Sequence, residues 1–125
     1  MDAARKNTIL YWVFTTLFGL PTLAAGIFDF SGAQEAVEVI THLGYPPYLL
    51  KILGTAKVLG MAAILVNRFT TLKEWAYAGF AINFIGASAS HVFAGDPVTN
   101  IVIPLIFLAL LMGSYAFWKK LPRTA

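Results

Sequence analysis

Apolar residues fall into four long runs, at about residues 9–28, 48–66, 74–93 and 98–118, separated by short polar or turn-forming segments. Each run comes close to the roughly 20 residues a helix needs to cross about 30 Å of hydrocarbon. The first and fourth carry no charge; the second contains Lys51 and Lys57; the third contains Asn83 and, near its end, His91. Pro21 and Pro104 fall inside runs, where each removes a backbone donor and predicts a kink. Between the first two runs, Ser31 and Gln34 have the spacing of a capping box. Ala33, Ala36, Val37, Ile40 and Gly44 then share one face, with Gln34, Glu35, Glu38 and Thr41 opposite. This predicts a short amphipathic helix along the outer membrane surface, ended by Gly44 and Pro46-Pro47.

Composition agrees with this pattern. Of 125 residues, 58% are hydrophobic and 12% charged, and the mean hydropathy is +0.73. Soluble domains carry about 25% charged residues. The expectation is an all-α integral membrane four-helix bundle, a single domain over residues 1–125, with the bilayer as solvent and partner. The net charge of +3 does not point to nucleic acid, because the basic residues cluster at the ends of runs. Arg5 and Lys6, then Arg68 and Lys73, then Lys119, Lys120 and Arg123 share one side if all four runs span. Asp29, Glu35, Glu38 and Asp96 fall on the other, with Lys51 close by. The bias of Lys and Arg towards the cytoplasm places both termini there. Trp12, Trp75 and Trp118 fall near the same interface. The first run also reads as a signal peptide, with Arg5-Lys6 before it and small residues at Leu23-Ala24-Ala25-Gly26. The chain has no cysteine, which excludes disulfides and thiolate chemistry.

Ionisable residues at membrane depth are costly and point to function or to specific pairing. Lys57 lies near the middle of the second run and Asn83 at a similar depth in the third, so a Lys57–Asn83 contact is expected. Such a contact either serves a ligand or joins two helices. Lys51 is about 240° around the helix from Lys57; it either snorkels to the outer surface or pairs with Asp29 or Glu38. His91, near Asp96 and His42, is a candidate for proton transfer or hydrogen bonding to a ligand, or a helix C-cap. Asp96 and Lys51 are secondary candidates. With two histidines and no zinc-type spacing, neither a metal nor a bis-histidine haem is expected. Small residues at Gly54, Ala56, Gly60 and Ala62, and at Gly79, Gly86, Ala87, Ser88 and Ser90, suit close helix approach. Tyr11, Phe14, Phe80 and Phe84 either line an apolar cavity or pack.

Three stretches carry a family resemblance. They are Gly44-Tyr45-Pro46-Pro47-Tyr48 with Leu53-Gly54-Thr55-Ala56-Lys57-Val58-Leu59-Gly60, then Leu72 to Phe80, and Ser90-His91 with Gly95-Asp96. In these the chain resembles the DoxX-like family of small bacterial four-helix membrane proteins. The resemblance implies a multi-pass protein of the bacterial cytoplasmic membrane and a link to quinone-dependent oxidoreductase systems. Where the broader family often has a glutamate in the second helix, this chain has Lys57; His91 matches a histidine often seen at the end of the third.

Two functions are expected to compete. One is a membrane subunit of a quinone-linked oxidoreductase, with no covalent cofactor, a quinone as the bound group and a redox protein as partner. In it Lys57, Asn83 and His91 would contact the quinone or carry its protons. The other is binding or transport of a small hydrophobic molecule without redox chemistry, in a homo-oligomer. A stand-alone acid–base enzyme using Lys57 or His91, and a purely structural subunit, complete the range.

Overall fold

The computed structural model describes residues 2–66 and 68–121. Arg123, one of the basic residues used for orientation, lies outside them. The described residues are all-helical, with five helices: α1 (Ala3–Ser31), α2 (Gln34–His42), α3 (Leu49–Val66), α4 (Thr70–Phe93) and α5 (Val98–Lys120). α1, α3 and α5 are long and apolar enough to cross a membrane. α4 is long enough at 24 residues, but polar groups such as Lys73, Glu74 and Asn83 lower its hydropathy.

The four long helices contact one another in a ring. α1 touches α3 and α5, and α4 completes the circuit between them. Chain order makes neighbours antiparallel. Arg5, Lys6, Arg68, Lys119 and Lys120 therefore fall at one end, here the basic end. α2, Asp29 and Asp96 fall at the far end. Phe18, Met61, Ile64, Tyr77, Phe80, Phe84 and Leu111 form the shared core. The outward faces remain apolar, as a lipid-solvated surface requires: Leu20, Leu59, Ile82 and Ile106 are each more than half exposed.

Glycines set the helix spacing on one side. A Cβ at Gly54 would lie 2.7 Å from the Gly26 carbonyl oxygen and 2.7 Å from the Phe30 nitrogen, so α1 and α3 meet backbone to backbone. Gly60 and Gly113 make room for the rings of Phe80 and Phe14. At Gly79 and Gly86, two of the small residues expected to suit close helix approach, a Cβ would meet nothing within 4 Å. Both prolines lie within helices that continue past them.

The segment after α1 differs from the expected capping box. Ser31 is the last residue of α1, and its hydroxyl donates to the Phe28 carbonyl rather than capping α2. Gly32, in the left-handed conformation at φ 74°, ends α1, and Ala33 precedes α2 without a side-chain cap. A short helix does form in this segment, over Gln34–His42. Ala36 and Ile40 pack on Leu50 at the start of α3, and Gly44 at φ 91° ends it with the Tyr45 N–H donating to the Ile40 carbonyl.

Candidate functional site

The seam between α3 and α4 is the loosest in the ring, and it holds an apolar cleft of about 760 Å³. Ligand pockets typically span about 300–1,000 Å³. α3 presents short side chains here, at Ala56, Gly60 and Ala63, and α4 presents Gly79; the Phe80 ring packs on Gly60, and the rest of the seam stays open as the cleft. The cleft runs from Phe69, Leu72 and Trp75 near the basic end to Lys57 and Asn83 halfway along the helices. Its outer rim is lipid-facing, with Leu59, Trp75 and Ile82 all more than 60% exposed.

Lys57 and Asn83 are the two polar side chains among the lining residues. Sequence placed them at one depth, and the structure puts them on one cleft, but they do not bond each other. The Lys57 ammonium donates to Asp29 Oδ2 at 2.8 Å, with side chains only 17% and 14% exposed. Asp29 reaches it because α1 continues helically to Ser31, past the expected end of the first run. The close approach at Gly26 and Gly54 holds the two helices near enough for this pair. An ion pair in low dielectric removes most of the cost of each separate charge. Asn83 is partly buried and makes no side-chain hydrogen bond among the described residues.

His91 is not part of this cleft. It sits at the far end, where its Nδ1 lies 2.6 Å from Asp96 Oδ2, while His42 Nε2 lies 2.6 Å from Asp96 Oδ1. One carboxylate thus joins the ends of α2 and α4. The hydrogen bond from His91, then that from His42, holds the Asp96 carboxyl below its usual range. Tyr45 and Ser90 share a hydrogen bond of 2.7 Å nearby. Lys51 pairs with neither Asp29 nor Glu38. Its ammonium donates to the Phe30 carbonyl at 2.6 Å and lies over the Phe30 ring, capping the end of α1. The described residues hold no cluster of three His, Cys, Asp or Glu that could bind a metal.

A third polar group was not expected from sequence. Lys73, expected in a basic loop, lies in the first turn of α4 and is 1% exposed. Its ammonium donates to the Tyr11 hydroxyl at 2.6 Å and sits 4.7–4.8 Å from the ring centroids of Trp118 and Tyr11. One turn deeper, the Ser114 hydroxyl hydrogen-bonds Thr15 at 2.6 Å and Tyr77 at 2.7 Å. Trp118, near the basic end of α5, stacks on Tyr77. A signal for this cluster exists in the sequence. The buried residues of α4 are Lys73, Tyr77, Phe80, Phe84 and Ser88, spaced by three or four so that Lys73 continues the inward stripe. These contacts join α1, α4 and α5.

A protein-family model described as the DoxX-like family matches residues 13–114. No curated protein and no solved structure matches the chain.

Proposed function

Because the chain belongs to the DoxX-like family, we propose that it is a four-span protein of the bacterial cytoplasmic membrane that binds a small lipophilic molecule in the α3–α4 cleft. The observation that carries this reading is the unfilled apolar seam ending in two polar side chains, Lys57 and Asn83. Apolar walls with a few polar groups are the usual make-up of a small-molecule site. α4 serves as the fourth span: it fills the ring between α3 and α5 and turns Leu72, Trp75, Ile82 and Ile85 outwards. The excess of lysine and arginine at the basic end supports a cytoplasmic position for that end and for both termini. α2, with its apolar face on α3, lies along the opposite surface.

A quinone is the ligand that the family resemblance implies, and the chain would then be a membrane subunit of a quinone-linked oxidoreductase with a redox protein as partner. Binding or transport without redox chemistry is the second reading, and one observation favours it. Lys57 is already neutralised by Asp29, so it is not an uncompensated cation able to stabilise a reduced quinone anion.

The test is native mass spectrometry of purified protein with extraction of bound molecules, on wild type beside Gly79→Phe. A Cβ at Gly79 meets nothing within 4 Å, and the position lines the cleft, so a ring placed there has open space at its base and is expected to occupy the cleft. A lipophilic molecule bound to wild type and absent from the variant is expected. A quinone favours the redox subunit, and a redox-inactive molecule favours the second reading. No bound molecule, or equal retention by the variant, overturns both.

A further inference from the structure

We propose that the α3–α4 cleft selects molecules whose polar group is uncharged and accepts a hydrogen bond: a ketone, quinone, ester or alcohol rather than a carboxylate, phosphate or amine. This rests on the reading of the cleft as a ligand site and goes further, to the class of ligand. Three observations carry it.

The first is charge balance. Lys57 and Asp29 form a pair with no net charge, separated by 2.8 Å. An anionic head beside Lys57 would also face the Asp29 carboxylate, and a cationic head would face the ammonium. Either adds an uncompensated charge in a medium where such charges cost many times more than in water.

The second is depth. Lys57 is the ninth of the 18 residues of α3, and Asn83 lies past the middle of α4. The backbone positions of Lys57 and Asn83 are therefore close to the middle of α3 and α4, about 12–15 Å from the level of Val66 and Trp75, and the Lys57 ammonium reaches from there towards Asp29 in the last turn of α1. Ordinary charged lipids keep their heads at the surface, because carrying a charge to the bilayer centre is costly. A ketone or alcohol reaches that depth at much lower cost.

The third is the hydrogen-bonding inventory. The Asn83 side chain offers two N–H donors and a carbonyl acceptor, and it has no side-chain hydrogen bond among the described residues. A ligand carbonyl accepts from that amide, and a hydroxyl can both accept and donate. The tail then runs along Gly60, Ala63 and Gly79 towards Phe69 and Trp75.

The experiment uses full-length protein in proteoliposomes of uncharged lipid. A diazirine-bearing long-chain ketone is photo-crosslinked and read by intact mass. Undecan-2-one, decanol, decyl sulfate and decyltrimethylammonium then compete with it. The two neutral competitors are expected to displace the probe at concentrations at least about tenfold below those of the two permanently charged ones. Asn83→Leu, which leaves the apolar walls intact, should reduce that preference at least about fivefold while retaining some tail binding. Decyl sulfate or decyltrimethylammonium competing as well as decanol would overturn the inference and leave the cleft as a ligand site. Labelling that survives in Gly79→Phe, or that is blocked in wild type by a second copy seen in the intact complex mass, would overturn the ligand site and the inference with it.

Discussion

Gly54 and Gly79 are both helical glycines, and the structure predicts opposite responses to the same substitution. In Gly54→Ala the new methyl would lie 2.7 Å from the Gly26 oxygen, 2.7 Å from the Phe30 nitrogen and 2.9 Å from the Phe30 Cα. All three are backbone atoms of α1, so no side-chain rotation relieves the contact. Ordinary contact begins at 3.4 Å, so α1 must retreat by about 0.7 Å along a packed seam. Overpacking of this kind costs about 1–3 kcal/mol, and rigid backbone neighbours place Gly54→Ala at the upper end. Helix propensity returns about 1 kcal/mol, leaving a net loss of about 2 kcal/mol. In Gly79→Ala nothing is within 4 Å, so the propensity gain of about 1 kcal/mol stands alone. The two variants should differ by about 3 kcal/mol in equilibrium unfolding in mixed micelles of mild detergent and dodecyl sulfate, followed by tryptophan emission. Equal stabilities, or a Gly54→Ala variant more stable than wild type, would refute the backbone contact between α1 and α3.

The Lys57–Asp29 pair gives a second expectation. Asp29→Asn should destabilise by roughly 2–4 kcal/mol, below the full cost of stranding a completely buried charge, while Asp29→Asn combined with Lys57→Met recovers most of the loss. Additive losses in that double-mutant cycle would argue against a direct pair. At the far end, the Asp96 carboxyl is held below its ordinary value of 3.8. A depressed carboxyl contributes stability that is present above 3.8 and disappears as pH falls through its lowered value. Thermal stability followed downward from pH 5 should therefore fall further in wild type than in Asp96→Asn, the remaining carboxylates supplying a common background. Parallel curves would remove the His42–Asp96–His91 contacts from solution.

The four long helices were legible because their apolar runs are long and close to uniform, a pattern few other structures produce. So was the pairing of basic and acidic ends, which follows from chain order once four runs alternate in direction. The partner of Lys57 was not legible. Asp29 lies beyond the last apolar residue of the first run, and only the continuation of α1 to Ser31 brings it onto the helix facing Lys57. Ser31 misled in the same region, since a serine three residues before a glutamine fits both a capping box and the last turn of a preceding helix. His91 and Asp96 were rightly seen as neighbours, but a loop decides whether two such residues join a cleft or close a corner, and loop geometry has no periodicity to read. Lys73 was hidden by its charge: the general tendency of lysine to stay in water outweighed the spacing that placed it on the inward stripe of α4.

The joint around Lys73 bears on how the chain matures. Its components come from the start of the chain, at Tyr11 and Thr15, from α4, and from the last helix, at Ser114 and Trp118. A ribosome makes these pieces in that order, so an emerging chain holds α1, α3 and α4 well before it holds α5. Until then Thr15 and Tyr77 lack the Ser114 hydroxyl that both bond in the finished protein, and Lys73 lacks the indole that lies over it. The joint at the basic end can therefore be completed only once the final helix has arrived.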